Sequence, residues 1–297
     1  TDLDEFIFSA AGRGVFVDGG ATSAHGPNTV RLEGMGGSRS IGLGTTDADI
    51  QMINIGNVIA NASEGHTLVG ADQDNTWRID GENAGRLNGQ LSFSGFKFLR
   101  GNTADDTFVI AGDGIITGGI DGGDKGDNTL DLREVRANRA LTIAVHEGVS
   151  ADFSLRNIRA INSRSGAKHT LVAGDRTNTW SITGTNAGEL GGVSFNGMAN
   201  LVGGQLDDTF VFTAAGHITG LIDGGGRANE NVLDYSNVPD LDIGLGERND
   251  FINIQHLIGD NLNSTLRAPD QSNQWSLNGG VNTGTLNGDL RFTGITN

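Results

Sequence analysis

The sequence predicts an all-β protein: a parallel β-helix or β-solenoid built from repeats of about 100 residues. Three observations predict it. The chain of 297 residues contains 48 glycines but only 3 prolines, its apolar and polar residues alternate over short runs, and long stretches of it recur. Short strands in which apolar and polar residues alternate, separated by frequent Gly, Asn and Asp turns, are typical of solenoids and of antiparallel sandwiches.

Three tryptophan segments mark the repeat: "DNTWRIDGENAG", "TNTWSITGTNAG" and "SNQWSLNGGVNTG". The turn sequence "VDGG" or "IDGG" also occurs three times at a similar spacing. We therefore expect two full repeats with a partial repeat on either side, and a longer parent chain that continues into further repeats at both ends. The expected units are 1–63 (partial), 64–166, 167–263 and 264–297 (partial), all within one continuous solenoid, 1–297.

Within one repeat the predicted strands follow the order "HTLV", "NTW-x-I", "L/V-S-F", "DDTFVF", "IDGG" and "N-x-L-D". Alternation places Phe210 and Phe212 on the core face of "DTFVF". The same argument predicts that all three tryptophans are core stacks and not exposed platforms for sugars; they are Trp77, Trp180 and Trp275. Asparagines before and after each tryptophan suit left-handed turns, and those of equivalent coils could form ladders; they are Asn75, Asn178 and Asn273 before it, and Asn83, Asn186 and Asn282 after it.

A string of tandem β-sandwich domains is the alternative architecture. The repeats lack the proline-rich or polar linkers that separate such domains, and their tails differ by an insertion or deletion. A solenoid accommodates such a change as a surface loop, without disturbing the neighbouring coils. The solenoid is therefore the favoured prediction.

Composition excludes several classes of partner. With 36 acidic and 20 basic residues the formal net charge is −16, which argues against nucleic acid or an anionic membrane surface as a partner. The absence of cysteine rules out disulfides, thiolate metal sites and cysteine nucleophiles. No apolar run is long enough to insert into a membrane as a helix.

The aspartates are candidate calcium ligands. "GGQLDDTFVF" resembles the calcium-binding nonapeptide repeats of RTX proteins, although a leucine stands where that pattern needs its third glycine. The candidates are Asp106, Asp208, Asp121 and Asp223. The alternative is that these carboxylates form Asx turns at the corners of the coils. Calcium is the only cofactor that the sequence suggests.

A cluster of basic residues interrupts the repeat. Seven of the 20 lie between positions 133 and 168: Arg133, Arg136, Arg139, Arg156, Arg159, Arg164 and Lys168. One interpretation is a basic strip that holds a polysaccharide, because the guanidinium fork of arginine suits such a ligand. The other is a solvated face that neutralises the neighbouring acidic coils.

No singular cluster of catalytic residues stands out against the repeat. His66 and His169 are repeat equivalents whose third copy is Ser264, and the other four histidines lie in unlike contexts. A polysaccharide lyase or epimerase would need carboxylates and a base in one groove. We therefore do not expect an enzyme.

The combined pattern resembles a known family. The run from "NTW-x-I-x-G-x-N-A-G" through "D-D-T-F-V-F" to "I-D-G-G" and "N-x-L-D-Y-S" is similar to the long repeats of giant bacterial surface and matrix adhesins, the haemagglutinin-like and CdrA-type proteins exported by two-partner secretion. This resemblance implies an extracellular, non-catalytic stalk that contributes to attachment between cells or to a biofilm matrix. Exopolysaccharide or another cell-surface component would be its partner, and a carbohydrate-binding module is the alternative function.

Overall fold

The computed structural model describes residues 3–9, 14–20, 27–33, 35–45, 48–146, 148–226, 230–245, 250–277 and 279–296. Within these ranges the chain forms strands, turns and bends, and no helix. The first strands are β1 (Glu5–Phe8), β2 (Val15–Asp18), β3 (Thr29–Leu32), β4 (Ser40–Leu43), β5 (Ile50–Ile53), β6 (Asn57–Ile59), β7 (Thr67–Val69), β8 (Asn75–Gly81), β9 (Ala84–Leu87), β10 (Leu91–Ser94), β11 (Phe98–Arg100), β12 (Asp106–Ile110), β13 (Gly119–Asp121), β14 (Thr129–Asp131), β15 (Thr142–Ala144), β16 (Phe153–Arg156) and β17 (Ala160–Asn162). The remaining strands are β18 (Thr170–Val172), β19 (Asn178–Gly184), β20 (Ala187–Leu190), β21 (Val193–Asn196), β22 (Asn200–Val202), β23 (Asp208–Phe212), β24 (Ile222–Asp223), β25 (Val232–Asp234), β26 (Asp242–Gly244), β27 (Phe251–Ile252), β28 (His256–Ile258), β29 (Thr265–Arg267), β30 (Trp275–Ser276), β31 (Thr283–Leu286) and β32 (Leu290–Thr293).

The chain divides into two compact units. Unit 1 comprises Thr1–Arg139 and Ser150–Ser163, and unit 2 comprises Ala140–Val149 and Arg164–Asn297. In unit 1 the first sheet has the strand order β1, β3, β6, β10, β9, β8, β12, β14, β17, and the second has the order β2, β5, β4, β7, β11, β13, β16. In unit 2 the first sheet runs β21, β20, β19, β23, β25, β28, β32, β31, β30, and the second runs β15, β18, β22, β24, β27, with β26 and β29 as a separate pair.

Most neighbouring strands are parallel, because the chain passes from one sheet to the other and back before it pairs again. The second sheet of unit 1 shows the consequence for packing, since one aliphatic side chain per strand stands in register. These side chains, each no more than 3% exposed, are Ile41, Leu68, Leu99, Ile120 and Leu155. The all-β class and the parallel sheets are consistent with the predicted solenoid, and they differ from the antiparallel pairing that sandwich domains use.

The tryptophan segments depart from simple parallel coils. In unit 1 β8, β9 and β10 form an antiparallel meander, with β9 between the other two. Left-handed backbone at Asn83 (φ 51°) and Asn88 (φ 52°) turns the chain twice; the sequence predicts this conformation for Asn83, and Asn88 is a second such position that the structure adds. As a result β8 pairs with the later strand β12 and β10 with the earlier strand β6, an inversion that period-two patterning does not reveal.

The predicted core is confirmed for two of the three tryptophans. Trp77 and Trp180 are fully buried, and each stacks on the phenylalanine of the next coil, with ring centroids 5.6 Å (Phe108) and 5.5 Å (Phe210) apart. The third prediction is wrong, because Trp275 is 40% exposed. Its strand β30 has β31 on one side and, among the described residues, no strand on the other.

Candidate functional site

The double-aspartate motif builds a buried polar network. In the first full repeat Asp106 is fully buried at the start of β12. Its Oδ1 accepts a hydrogen bond from Asn75 Nδ2 (2.8 Å), and its Oδ2 accepts one from the Asn102 amide (3.1 Å). The Asp106 amide donates to Asn128 Oδ1 (2.9 Å), so the network joins three successive coils.

The second full repeat contains the same network. Asp208, also fully buried, accepts hydrogen bonds from Asn178 Nδ2 at Oδ1 (2.7 Å) and from the Gly204 amide at Oδ2 (2.7 Å). Its own amide donates to Asn231 Oδ1 (2.9 Å). We call the two sets, Asn75, Asp106 and Asn128 in one repeat and Asn178, Asp208 and Asn231 in the other, the Asn-Asp-Asn networks.

The environment of the two central carboxylates is unusual for an aspartate. Burial raises the pKa of Asp106 and of Asp208 above the usual value, while hydrogen bonds from the neighbouring asparagines act in the opposite direction. Glycine is required beside each carboxylate. A Cβ at Gly101 or Gly203 would lie 2.0 or 2.2 Å from the carboxylate Oδ2. The glycines of the RTX-like motif therefore make room for a buried aspartate.

Asp121 and Asp223 have a different role from the buried pair. Each Oδ1 accepts a hydrogen bond from the amide two residues later, at 2.9 Å in Gly123 and 2.8 Å in Gly225. These are Asx turns, as the alternative interpretation of the sequence predicts. The same oxygens also accept a hydrogen bond from an asparagine of the next coil, at 2.8 Å and 2.7 Å; the donors are Asn157 and Asn253.

The four candidate calcium ligands therefore share a property: each is already engaged by N–H donors of the protein. Within the ranges that the structure describes, no group of three or more His, Asp or Glu side chains is placed to hold a metal ion. Calcium binding at Asp106, Asp208, Asp121 and Asp223 stays a prediction from the sequence.

The asparagines before the tryptophans correct a further expectation. Asn75 and Asn178 begin strands β8 and β19, Asn273 lies two residues before β30, and none of the three adopts a left-handed conformation. Asn83, Asn186 and Asn282 do, with φ of 51°, 55° and 59°. The side-chain amides of Asn75 and Asn178 instead donate hydrogen bonds within their own turns and to the aspartate of the next coil. The signal in the sequence was the joint recurrence of this asparagine with the persistent aspartate.

The basic residues do not form one strip in unit 1. Arg133, Arg136 and Arg139 lie in the turns beyond the carboxyl end of β14. Arg156 is the last residue of β16, and Arg159 lies at the corner between β16 and β17, beside the amino ends of the first-sheet strands. Because the strands are parallel, these groups stand at opposite ends of that sheet. Arg164 and Lys168 belong to unit 2.

Nearby acceptors of the protein engage most of these guanidinium groups. Arg133 bonds both carboxylate oxygens of Asp131 (Nε to Oδ1 2.9 Å, Nη2 to Oδ2 2.6 Å) and holds the pKa of that carboxyl below its usual value. Arg136 Nη2 lies 2.6 Å from Asp113 Oδ2, and Arg139 donates to the carbonyl of residue 114 at 2.8 Å. The carboxylate partners fit the interpretation that the arginines neutralise neighbouring acidic groups.

One corner of unit 1 forms an open groove of about 410 Å³. Its lining includes the exposed Arg159 and three carboxylates, and the Arg159 Nε lies 3.7 Å from Asp127 Oδ1. The carboxylates are those of Asp105, Asp124 and Asp127. Such a lining offers both donors and acceptors to a hydroxyl-rich ligand.

No protein-family model, no curated protein and no solved structure matches this chain. The part of the chain that the structure describes contains no helix of the length and apolar character needed to cross a bilayer.

A second candidate surface surrounds the exposed tryptophan of unit 2. Trp275 and Phe292 meet edge to face with ring centroids 5.7 Å apart, as the buried tryptophans do with their own meander phenylalanines. Beside them Leu277 is 77% exposed, and a cavity of about 650 Å³ opens between these side chains and Leu266. Sequence alternation assigned Trp275 to the core and missed this apolar surface.

Proposed function

We propose that the chain is a non-catalytic stalk and adhesive segment of a large secreted bacterial adhesin at the cell surface. In this proposal the parallel sheets belong to a solenoid of repeats of about 100 residues that continues in the parent protein. The Asn-Asp-Asn networks are the observation that carries the proposal. Both full repeats use their most distinctive polar residues to join one coil to the next.

The networks support a mechanical role because they connect coils through the interior. A buried carboxylate is costly to leave without donors, so separating two coils would break several charge-assisted hydrogen bonds together. The stacked rings of Trp77 with Phe108 and of Trp180 with Phe210 add apolar contact at the same boundaries. The exposed faces would then offer weak contacts that gain strength by repetition.

Beads coated with the 297-residue chain test the adhesive part of this proposal. We expect the beads to be retained on a layer of bacterial exopolysaccharide, while the free chain in solution shows little binding, because avidity needs many copies. Beads coated with the heat-unfolded chain are the control. Equal retention of both bead types, or of neither, would count against an adhesive segment.

A carbohydrate-binding module is the second candidate, and the groove beside Arg159 is the observation that favours it. Binding of the free chain on a glycan array, lost in the double variant Arg156→Ala and Arg159→Ala but kept in Arg133→Ala, would support this module. Cleavage or epimerisation of alginate or pectin by the chain would replace both proposals with an enzyme.

A further inference from the structure

An exposed aromatic ring lies on the outer face of the second sheet of unit 1. Phe98, the first residue of β11, is 40% exposed, whereas the next residue, Leu99, faces the core and is 1% exposed. Glycines precede the strands that flank β11, and both are close to the ring. A Cβ at Gly118 would lie 2.7 Å from the Phe98 Cε1, and a Cβ at Gly65 would lie 3.5 Å from its Cε2. The ring is therefore exposed between positions that carry no side chain.

The register of three neighbouring strands places a row of charged residues beside this ring. Arg100 lies two residues after Phe98, on the same face of β11. It pairs with Asp121, which pairs in turn with Arg156. Neighbouring positions in this row are about 4.8 Å apart, and the ring lies about 7 Å away along the strand. With Lys97, three cationic side chains accompany one carboxylate, in a chain whose net charge is −16.

The second full repeat shows that the fold does not need these residues. Its equivalent row, also in parallel register, consists of Val202, Asp223 and Ile252, so that aliphatic residues stand in place of both arginines. Asn200 stands in place of the exposed ring, and its Oδ1 accepts a hydrogen bond from the Leu221 amide (2.9 Å). Because equivalent coils fold with either set of residues, coil formation does not account for the ring and its arginines.

The charged row leads into the open groove of unit 1. Asp121 and Arg156 are the last residues of β13 and β16, and the chain continues from them to Asp124 and Arg159 in the lining of the groove. The ring, the charged row and the groove therefore follow one another on the outside of unit 1. A small molecule would occupy only one of these positions, whereas an extended polymer is long enough to contact all three.

We propose that Phe98, Arg100 and Arg156 form a binding site for a polysaccharide that carries uronate carboxylates. This site rests on the second candidate function, the carbohydrate-binding module. The negative face of an aromatic ring attracts the C–H groups on the flat side of a sugar ring. The planar guanidinium fork of arginine binds a carboxylate through two parallel hydrogen bonds, and the local excess of cations attracts an anionic polymer. A neutral polysaccharide would use the ring without the ionic contacts and would bind more weakly.

Phe98→Asn tests the ring, because asparagine is the residue that the second repeat uses at this position. Biolayer interferometry measures binding of the chain to immobilised alginate, whose sugars are all uronates, and to neutral dextran. We expect the unmodified chain to bind alginate more tightly than dextran, and Phe98→Asn to weaken alginate binding about tenfold. Leu206→Asn introduces the same residue at a leucine that is 48% exposed in unit 2. This control should leave alginate binding unchanged.

Arg156→Ile tests the charged row in the same way, since Ile252 holds the equivalent position in unit 2. This variant should bind alginate more weakly than the unmodified chain does. Its binding should also decrease less when salt is added, because one ionic contact has been removed. Arg133→Ala, at an arginine outside the row, is the control and should leave both the affinity and its salt dependence unchanged. Equal salt dependence in Arg156→Ile and the unmodified chain would overturn the role of the charged row.

Gly119→Leu provides a second variant, which keeps the ring and introduces the residue of the second repeat, Leu221. A Cβ at this position would lie 3.7 Å from the Phe98 Cδ1, so the leucine should cover part of the ring and weaken alginate binding. Unchanged alginate binding in both Phe98→Asn and Gly119→Leu would overturn the site and leave the carbohydrate-binding function standing. A chain that binds other glycans of an array but not alginate would do the same, whereas a chain that binds no glycan would overturn both.

Discussion

At the scale of single residues, the double aspartate combines two different functions. Asp106 is buried with both oxygens bonded, whereas the preceding Asp105 is exposed and accepts the amide of residue 127 at 2.8 Å. The partial first repeat keeps the equivalent of the buried residue, Asp4, and replaces the other by Leu3. The aspartate that recurs in all three copies is therefore the one that is buried in both full repeats, as Asp106 and Asp208.

Asp106→Asn should destabilise the chain by about 1–3 kcal/mol, because one of the two N–H donors that face the carboxylate would then meet an NH₂ group. Asp105→Asn, which keeps an acceptor oxygen at an exposed position, is the matched control. Urea unfolding of the two variants measures the difference. Equal stabilities would contradict the role assigned to the buried network.

We expect His66 to make stability depend on pH. Burial lowers the pKa of this imidazole below its ordinary value of 6.5, and its Nδ1 accepts a hydrogen bond from the Arg39 amide (3.2 Å), which requires an unprotonated nitrogen. The unfolded chain therefore binds the proton more readily, so the contribution of His66 is complete above about pH 6.5 and is lost as the pH falls below it.

The variant His66→Ser places at this position the residue that the third copy uses, Ser264. We expect a smaller loss of melting temperature between pH 7.5 and pH 5.5 than in the unmodified chain. His217→Ser, at an exposed ring, controls for the loss of a histidine as such. A pH dependence unchanged by His66→Ser would contradict the assignment.

At the scale of elements, the antiparallel meander and the strand that covers it form the repeated boundary between coils. Trp180 lies between Phe195 at its edge (6.1 Å) and Phe210 at its face (5.5 Å), and a whole indole is thereby removed from water. Trp275 has only the edge contact. The two tryptophans occupy one position in the repeat but differ in environment.

Trp180→Ala should therefore reduce the free energy of unfolding by about 3–5 kcal/mol, the usual cost of removing a buried aromatic side chain. Trp275→Ala should cost much less, because this side chain is 40% exposed. Differential scanning calorimetry on both variants makes the comparison. Similar losses would show that Trp275 is covered in solution.

At the scale of the whole molecule, the question is whether the acidic chain uses calcium for stability. An ion that binds only the folded form must raise the melting temperature. Because Asp106, Asp208, Asp121 and Asp223 already accept hydrogen bonds from the protein, we expect the same melting temperature in EDTA and in millimolar calcium. An increase of several degrees in calcium would contradict this and support the RTX-like interpretation.

The basic cluster shows where sequence reasoning about a site was insufficient. Proximity along the chain suggested a single strip, yet the coil carries Arg133 and Arg159 to opposite ends of the same sheet. The spacing of residues in a sequence indicates which of them share a strand or a turn. It does not indicate on which side of the coil that turn lies, because this depends on the lengths of all the strands and loops before it. The groove at Arg159 includes Asp105 for the same reason, since distant segments meet at one corner.

The sequence by itself determined the all-β class, the repeat, the buried faces of Trp180 and Phe210, and the Asx turns at Asp121 and Asp223, because period two and local turn chemistry are properties of a few consecutive residues. Only the tertiary structure decided which strand pairs with which. It inverted the order of β8 and β10, buried Asp106 against Asn75, and left Trp275 exposed. The physical reason is that burial requires a neighbour from another coil, and the local pattern of a strand is the same whether or not that neighbour is present.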